Sequence, residues 1–332
     1  MAIDVDLGPR KARCRHTTGS DEQGQGTVKG GKPGDLYAQL SELLARATWL
    51  AAKSKIASWI QRKKVAAHYT HGALEKTILD TLQAAGKDID KLTATDLSAV
   101  DEFHLGWRDA TIAFAKDLRL ATGARVLDIG SGIGGPARYF AEARGCQVIG
   151  IDLTPEFVQV ANALTQRSGL SDKVEFREAN ATGLSFEDGA FDTATMIHVG
   201  MNIPDKAAVF AEVRRVLKPG GRFGVYDIMR AGDGGVPYPM PWAGSRDTSF
   251  LETPAAYQRL LAHAGFEIES ETDRTAFVKE LAQKRRAQAE ASGGPALDLI
   301  ILGPDMKQRR ANVMGALQGG LIAPIQIITR AI

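Results

Sequence analysis

The sequence predicts an α/β fold with an open, mostly parallel sheet. Arg125–Ile129 is a short apolar run typical of a buried parallel strand, and it ends in the glycine-rich turn Gly130–Gly135. Pro136 follows where a helix would start, a position that tolerates its missing N–H. Gln147–Asp152 is a second such run and ends in an acid. A strand, a glycine turn and a helix in this order form the first unit of a nucleotide-binding sheet.

Before this core, the chain divides into a tail and a helical cap. Residues 1–34 are polar and glycine-rich without hydrophobic periodicity, which predicts a disordered tail. Residues 35–120 predict an N-terminal helical cap, whose first helix is capped by Asp35 and ends at the basic residues 62–64. We interpret that helix as packing on the domain or on a partner copy rather than on a membrane surface. Further helices are expected over Glu75–Ala85 and Ala110–Leu118, with a connection over Thr95–Asp101.

Residues 121–332 are expected to form the sheet domain, because short β-rich runs recur there with helical patterns between them. The last strand follows a helical insertion over about residues 274–320. Strands are expected near Val126, Val148, Val174, Thr195 and Val225, over Phe266–Thr272 and over Ile325–Thr329. The helices of the insertion are expected over Thr275–Ala291 and Pro304–Leu317.

The composition argues against several classes of function. The chain has 332 residues, of which 44% are hydrophobic and 24% charged, as in ordinary globular proteins. A net charge of +2 gives no electrostatic reason to expect nucleic-acid binding. No stretch approaches the ~18 consecutive apolar residues of a membrane-spanning helix. The two cysteines, Cys14 and Cys146, argue against a structural disulfide and a metal site, so we expect no metal and a cytoplasmic, reducing location.

The glycine turn also bears on the cofactor. Gly130, Gly132 and Gly135 satisfy G-x-G-x-x-G, a pattern that on its own allows NAD. Asp128, two positions before the first glycine, would repel a pyrophosphate held at this turn. S-adenosylmethionine (SAM) has no phosphate and carries an ammonium and a sulfonium, so an acid at this position favours it. Asp152 ends the next strand, where a carboxylate can accept hydrogen bonds from both ribose hydroxyls.

These residues resemble the class I SAM-dependent methyltransferases, and in particular the type 11 methyltransferase domain. The resemblance covers the chain from about Tyr69 onward. It implies a methyltransferase with SAM as its cofactor. It also implies a Rossmann-like sheet of seven strands, whose last strand is antiparallel and lies between strands five and six. The motifs are Asp128–Gly134, Asp152, Glu178–Ala181, Phe191–Asp192 and Val216–Gly221.

Two further segments resemble the branch of the family that methylates sarcosine and dimethylglycine. They are Asp101–Gly106 (D-E-F-H-L-G) and Pro241–Ala243 (P-W-A), and they imply N-methylation of a small amine. C- or O-methylation of a lipid-like, quinone or phenolic acceptor is an open alternative, and so is a SAM-binding protein without catalysis. A pocket rimmed by arginine would favour the amino-acid acceptor, and apolar walls would favour the lipid-like one. We expect a small-molecule acceptor as partner, and a homo-oligomer stays open.

The resemblance places the cofactor contacts at the strand ends. Asp128 should hold the methionine part of SAM, the glycines should lie under its ribose and methionine portion, and Asp152 should bind the ribose. Asn180 stands where the family commonly has Asp to read adenine, and its carbonyl can still accept a hydrogen bond. The expected cofactor-binding residues are Asp128, Gly130, Ser131, Gly132, Asp152, Leu153, Asn180, Ala181 and His198.

Three residues are candidates for catalysis: His198, His104 and Tyr69. His198 follows the apolar run Thr193–Ile197 and so lies at the ligand edge of the sheet. His104 and Trp107, in F-H-L-G-W, could close over the methyl group, and Tyr69 resembles the family's cap tyrosine. Because an amine acceptor must only arrive unprotonated and aligned, we expect the histidines to position it rather than to act as strong bases. The expected substrate residues are Trp107, Arg230, Trp242 and Arg246.

Overall fold

The computed structural model describes residues 49, 60–70, 72–292 and 305–332, with side chains described up to residue 288 in the helix that ends at residue 292. The predicted tail over residues 1–34 lies outside the described residues, as does most of the first cap helix. Residues 60–69, at the end of that predicted helix, are helical.

Seven strands in the described part of the chain form one sheet. They are β1 (Arg125–Ile129), β2 (Gln147–Asp152), β3 (Val174–Glu178), β4 (Phe191–Ile197), β5 (Leu217–Arg230), β6 (Phe266–Asp273) and β7 (Ile322–Ala331). Their order across the sheet is β3-β2-β1-β4-β5-β7-β6. β1 to β5 are parallel, whereas β7 is antiparallel to β5 and β6 and lies between them. The predicted seven-stranded, mostly parallel sheet is confirmed, including the place of its last strand.

Helices precede the sheet and cover both of its faces. They are α1 (60–69), α2 (Leu74–Ala84), α3 (Ala94–Leu97), α4 (Trp107–Asp117), α5 (Gly135–Arg144), α6 (Pro155–Arg167), α7 (Lys206–Val216), α8 (Pro254–His263), α9 (Thr275–Ser292) and α10 (Met306–Gln318). α9 and α10 stand between β6 and β7, where the sequence predicts a helical insertion. None of the described helices combines the length and the apolar character needed to cross a membrane.

Two segments differ from the prediction. Thr95–Asp101, expected as a connection, contains most of the short helix α3. This helix forms because the side chains of Thr93 and Asp96 each accept a hydrogen bond from the other's backbone N–H. The fifth strand, expected near Val225, starts earlier: the motif Val216–Gly221 is mostly part of β5, whose pairing with β4 is irregular at this point.

The start of α4 also differs from the prediction, since the helix begins at Trp107 rather than at Ala110. Gly106 precedes it at φ +90°, a left-handed conformation that glycine adopts without strain. A Cβ on Gly106 would lie 2.7 Å from the Cβ of Ala110, so the helix closes tightly on this residue. The F-H-L-G segment is thereby fixed as the entry to α4.

The core of the domain fills both faces of the sheet. Phe210 of α7 and Tyr257 of α8 pack on one face, and Phe114 of α4 and Phe140 of α5 pack on the other. Because β1, β2 and β4 are parallel neighbours, their carboxyl ends meet at one edge of the sheet. The loops that leave this edge carry the predicted cofactor residues.

Candidate active site

The turn after β1 has its shape because of glycine. Gly130 has φ +65°, and a Cβ there would lie only 2.4 Å from Cγ2 of Val199, in the loop after β4. A larger residue would have to displace that loop. A Cβ on Gly132 would meet nothing closer than the ring of Phe103, at 3.9 Å. The turn therefore lies tightly against the loop after β4 at Gly130 and is open at Gly132.

Asp128 is buried at the end of β1 with one oxygen unpartnered. The residue is 2% exposed, and its Oδ1 accepts a hydrogen bond from Oγ1 of Thr195 at 2.7 Å. Neither its Oδ2 nor the buried hydroxyl of Ser131 has a hydrogen-bond partner among the described residues. Burial raises the pKa of the Asp128 carboxyl to about 7. A cationic ligand group would relieve the cost of this unpartnered oxygen.

Asp152 is held at the end of β2 by backbone N–H groups. Its Oδ2 accepts from the N–H of Gly132 at 3.0 Å, and its Oδ1 accepts from the N–H of Thr154 at 2.9 Å. Burial raises the pKa of its carboxyl, although both hydrogen bonds lower it. Each oxygen keeps a lone pair for further donors. The carboxylate is thus fixed in orientation beside the glycine turn.

A cavity runs along this edge of the sheet. The nine predicted cofactor residues all line it, and so do His104, Tyr69 and Trp242. Polar groups come from the strand ends and also from α1, which contributes Gln61 and Arg62. Apolar side chains come from α1, the segment before α4, the loop after β4, β5 and α10. The apolar lining includes Val65, Phe103, Leu105, Met201, Ile228 and Val313. Among the described residues, no group of three side chains is placed to hold a metal ion.

Asn180 turns its side chain onto Thr182. Its Oδ1 accepts from the N–H of Thr182 at 3.2 Å, and its Nδ2 donates to Oγ1 of the same residue at 2.7 Å. The amide oxygen keeps one lone pair that could accept from a ligand. Its assignment as the residue that reads adenine stays a prediction.

His198 stands directly after β4 in a left-handed conformation, with φ +53°. Its Nδ1 accepts a hydrogen bond from the backbone N–H of Leu105 at 3.1 Å, and its ring stacks on Tyr226 with centroids 4.9 Å apart. Its Nε2 is buried and has no partner among the described residues. Burial lowers the pKa of the imidazole well below its usual value, so the ring is neutral at pH 7.

His104 lies beside His198, with ring centroids 5.7 Å apart and the rings edge to face. Its Nε2 is 3.0 Å from the carbonyl oxygen of Trp107 and 3.1 Å from Oγ1 of Thr111. Burial lowers the pKa of this imidazole to about 4. The structure therefore brings the two predicted histidines together, and both are neutral at physiological pH.

Tyr69 belongs to a hydrogen-bonded chain that closes one side of the cavity. Its hydroxyl donates to Oδ1 of Asn202 at 3.0 Å, and Nδ2 of Asn202 donates to the carbonyl oxygen of Trp242 at 2.8 Å. Burial raises the pKa of the Tyr69 hydroxyl, so this group stays protonated and acts as a donor. The sequence prediction missed Asn202, although it follows the same strand end as His198.

Three predicted substrate residues do not line the cavity. The ring of Trp107 packs under the guanidinium of Arg285 in α9, 4.0 Å from it. Nη1 of Arg230 donates to the carbonyl oxygen of Gly234 at 3.1 Å, and Arg246 is exposed in a short 3-10 turn. The structure does not bring these three side chains to the cavity, because their directions are set by packing and loop contacts that chain position does not reveal.

The central part of the sheet also matches a known family. Residues 127–225 fit the model of a methyltransferase domain. This segment is a methyltransferase domain. It contains the glycine turn, Asp128, Asp152 and His198, so the predicted family is confirmed at the level of this domain.

Two curated relatives match the chain over segments that are about as long as this domain. A tocopherol O-methyltransferase of Arabidopsis thaliana is 43% identical over 98 residues, which are 30% of this chain and 28% of the relative. A sterol 24-C-methyltransferase of Gibberella zeae is 38% identical over 113 residues, which are 34% of this chain and 30% of the relative. The matches thus span less than a third of the length of these two relatives.

A solved structure shares the fold of the methyltransferase domain and of the elements around it. The phosphoethanolamine N-methyltransferase 2 of Haemonchus contortus, in complex with SAM, is 23% identical to this chain, with a TM-score of 0.58. The likeness covers 72% of this chain and 57% of that structure. It confirms the Rossmann-like methyltransferase fold.

Proposed function

We propose that this protein transfers the methyl group of SAM to an apolar small molecule. The observation that carries the proposal is the make-up of the cavity, in which buried, unpartnered polar atoms from the strand ends stand beside apolar side chains. The polar atoms suit a cofactor with amino-acid and ribose parts, and the apolar lining suits an acceptor with little charge. Tocopherol and sterol appear in the names of the two relatives, which is consistent with such an acceptor.

The strand-end residues fit SAM. The unpartnered Oδ2 of Asp128 would pair with the ammonium of the methionine part, and Asp152 would accept hydrogen bonds from the ribose hydroxyls. Gly132 leaves the turn open for a close approach of the cofactor. Bound SAM supplies a methyl group on a sulfonium, which is an excellent leaving group. The protein's own residues then have to hold the acceptor in line and exclude water.

The acceptor part of the cavity favours an apolar molecule over an amino acid. Arg230 and Arg246, the two arginines among the expected substrate residues, do not line it. N-methylation of sarcosine or dimethylglycine is therefore the second candidate. Its support is that the D-E-F-H-L-G and P-W-A segments both contribute lining residues, and that Arg62 of α1 lines the cavity as well.

Two measurements test the proposal. Calorimetry should give a dissociation constant for SAM of about 10⁻⁶ M or lower, by analogy with typical enzyme ligands, and no binding of NADH. Labelled SAM is then incubated with a panel of apolar phenols, quinols, sterols, sarcosine and dimethylglycine. Transfer to an apolar compound supports the proposal, and transfer to the amino acids alone selects the second candidate. SAM binding without any transfer would indicate a SAM-binding protein without catalysis. Tight NADH binding without SAM binding would exclude this possibility and both candidate methyl transfers.

A further inference from the structure

The two histidines present opposite hydrogen-bonding groups to the cavity. A backbone N–H can only donate, so Nδ1 of His198, which accepts from Leu105, carries no proton. Neutral His198 therefore holds its proton on Nε2, the buried atom without a partner. The ring of His198 lines the cavity, and its Nε2–H, for which no described residue supplies an acceptor, is the donor that His198 has left for a bound molecule.

His104 has the reverse arrangement. A backbone carbonyl can only accept, so Nε2 of His104, 3.0 Å from the carbonyl oxygen of Trp107, carries the proton of the ring. Its Nδ1 keeps a lone pair and has no hydrogen bond to any described residue. The low pKa of the ring leaves this lone pair unprotonated at neutral pH. The two rings are neighbours in the cavity lining, with centroids 5.7 Å apart, so one contributes an acceptor nitrogen and the other a donor N–H to the same part of the site.

The hydroxyl of Thr111 and the carboxylate of Glu102 extend the hydrogen-bonded chain from His104 into the buried part of the protein. Oγ1 of Thr111, 3.1 Å from Nε2 of His104, donates to Oε2 of Glu102 at 2.7 Å. The same oxygen of Glu102 lies 3.5 Å from Nε2 of His104. Glu102 is 2% exposed, and its Oε1 forms an ion pair with Nε of Arg108 at 2.7 Å. A proton that reaches His104 thus has a path to a buried carboxylate.

We propose that this arrangement selects an acceptor with a hydroxyl group and takes up its proton. His198 donates to the hydroxyl oxygen from Nε2, and His104 receives the proton on Nδ1. Thr111 and Glu102 are positioning residues that pass the proton on and hold it. The inference rests on the proposed function and names its substrate class as an apolar alcohol or phenol.

Atoms and charges balance in this step. The acceptor oxygen forms a bond to the methyl carbon while the bond from that carbon to sulfur breaks, and its electron pair stays on sulfur as a neutral thioether. The hydroxyl proton moves to Nδ1 of His104. Nε2 of His104 gives its proton to Thr111, whose own proton goes to Glu102. The positive charge of the sulfonium and the negative charge of Glu102 disappear together.

The paired donor and acceptor suit oxygen better than nitrogen. A hydroxyl oxygen has two lone pairs, so it can donate to His104, accept from His198 and still attack with its second pair. A neutral secondary amine has a single lone pair, and a hydrogen bond from His198 would occupy the electrons that must attack the methyl group. A tertiary amine also lacks an N–H for His104. These rules favour a hydroxyl acceptor over sarcosine and dimethylglycine.

The carboxyl of Glu102 should give the reaction a recognisable pH dependence. Burial raises its pKa to about 8, against the opposing effects of Arg108 and Arg138. Only the ionised carboxylate can receive a proton, so kcat for a hydroxyl acceptor should rise as the pH increases through about 8. The polar and charged groups that face Glu102 are Asp101 and His104 from its own segment, Arg108 and Thr111 from α4, and Arg138 from α5.

Histidine NMR tests the arrangement without any acceptor. The chain has six histidines, and long-range ¹H–¹⁵N spectra show which ring nitrogen of each carries the proton. With signals assigned from His104→Phe and His198→Phe, we expect both rings to be neutral and protonated on Nε2 from about pH 6 to about 9. The signals of His104 should shift with a midpoint near pH 8. A proton on Nδ1 of either ring, or a charged His104 at pH 7, would overturn the proposal.

Two variants of buried carboxylates test whether Glu102 is the group that titrates near pH 8. Glu102→Gln should abolish the midpoint near pH 8. Asp101→Asn removes an equally buried acid that raises the pKa of Glu102, so the midpoint should move to lower pH but persist. A midpoint that survives in Glu102→Gln would show that another group titrates there.

Acceptor chemistry supplies the second test. An apolar hydroxyl compound and the amine of the same carbon skeleton are compared as acceptors, and we expect transfer to the hydroxyl compound. His104→Phe should lower kcat roughly 10²–10⁴-fold, the usual contribution of general base catalysis. Thr111→Val should remove the rise near pH 8, whereas Thr111→Ser keeps the hydroxyl and should restore it.

The outcomes separate this inference from the proposed function. Faster methylation of the amine, without a rise near pH 8, overturns the inference and leaves the methyltransferase intact. Failure of SAM to bind overturns the proposed function. If SAM binds without transfer to any compound, the NMR result decides the arrangement of the two histidines by itself.

Discussion

Two groups of residues line the cavity, and they are held in different ways. The strand-end group consists of Asp128, Gly130, Ser131, Gly132 and Asp152, and the acceptor group consists of Tyr69, His104, His198, Asn202 and Trp242. The strand-end group follows β1 and β2, whose parallel pairing fixes the two strands in register. The acceptor group is joined by single hydrogen bonds between distant segments. The bond from Tyr69 to Asn202 spans 133 positions of the chain, and the bond from Leu105 to His198 spans 93.

This difference shows which part of the cavity can change most easily. A strand end moves only if a whole ladder of backbone hydrogen bonds changes register. The acceptor group depends on a few side-chain hydrogen bonds, each worth about 0.5–1.5 kcal/mol. Single substitutions can therefore alter the acceptor group while the strand-end group stays in place. SAM affinity should respond to the strand-end group, and the acceptor KM should respond to the acceptor group.

The largest effect on SAM affinity is expected at Asp152. Asp152→Ala should weaken SAM binding by roughly 1.5–3 kcal/mol, or about 10- to 150-fold, because charge-assisted hydrogen bonds to the ribose are lost. Calorimetry measures this change, and Asp172→Ala, at an exposed acid before β3, serves as the control. Unchanged affinity in Asp152→Ala would mean that another residue binds the ribose.

SAM binding should tighten as the pH rises toward neutrality. Burial gives Asp128 a pKa of about 7 in the free protein, and the ammonium of SAM favours the ionised carboxylate. Binding below about pH 7 must therefore release a proton, so the dissociation constant should rise up to about tenfold for each pH unit below that value. Calorimetry in buffers of different ionisation enthalpy counts the proton, which should be absent in Asp128→Asn. A dissociation constant that stays flat from about pH 5 to 8 would contradict this linkage.

A smaller effect is expected in the acceptor group at Tyr69. Tyr69→Phe removes the hydrogen bond to Asn202 and should raise the acceptor KM about 2- to 12-fold, the equivalent of one hydrogen bond. SAM affinity should not change. Steady-state kinetics with the best acceptor tests this, with Tyr139→Phe in α5 as the matched control. A parallel loss of SAM affinity would show that the two groups are not independent.

The smallest effect is expected outside both groups. Residues 1–34 lack hydrophobic periodicity, so their deletion should leave the melting temperature and SAM affinity almost unchanged. Thermal unfolding and calorimetry of the shortened chain measure both quantities. A fall of several degrees in the melting temperature would show that this segment contributes to the folded domain.

The strand-end group could be predicted from the sequence because it depends on local patterns. An apolar run predicts the strand, glycines predict the turn, and the acids Asp128 and Asp152 follow from their positions in that unit. The helix α3 could not be predicted from local patterns in the same way. It is four residues long, too short for a hydrophobic period to show, and its signal is only the capping pair of Thr93 and Asp96.

The acceptor group could be predicted only in part. The positions of His104 and His198 were visible, but the nitrogen that each presents to the cavity depends on Trp107 and Leu105 as hydrogen-bonding partners. The side-chain direction of Arg230 could not be predicted from its position in the chain either. Its place at the end of β5 suggested a substrate contact, yet its side chain bonds to a nearby backbone carbonyl. Side-chain directions of this kind are set by tertiary packing, which has no period in the sequence.

The position of β7 has a consequence for how this protein is made. The strand lies between β5 and β6 but is synthesised after both of them, following α9 and α10. Until β7 leaves the ribosome, β6 has none of the described strands beside it, and the edge of β5 that β7 will cover is open. Such an edge readily pairs with other nascent chains. The yield of folded protein should therefore depend on how soon Ile322–Ala331 inserts, and chaperones that shield this edge should raise it.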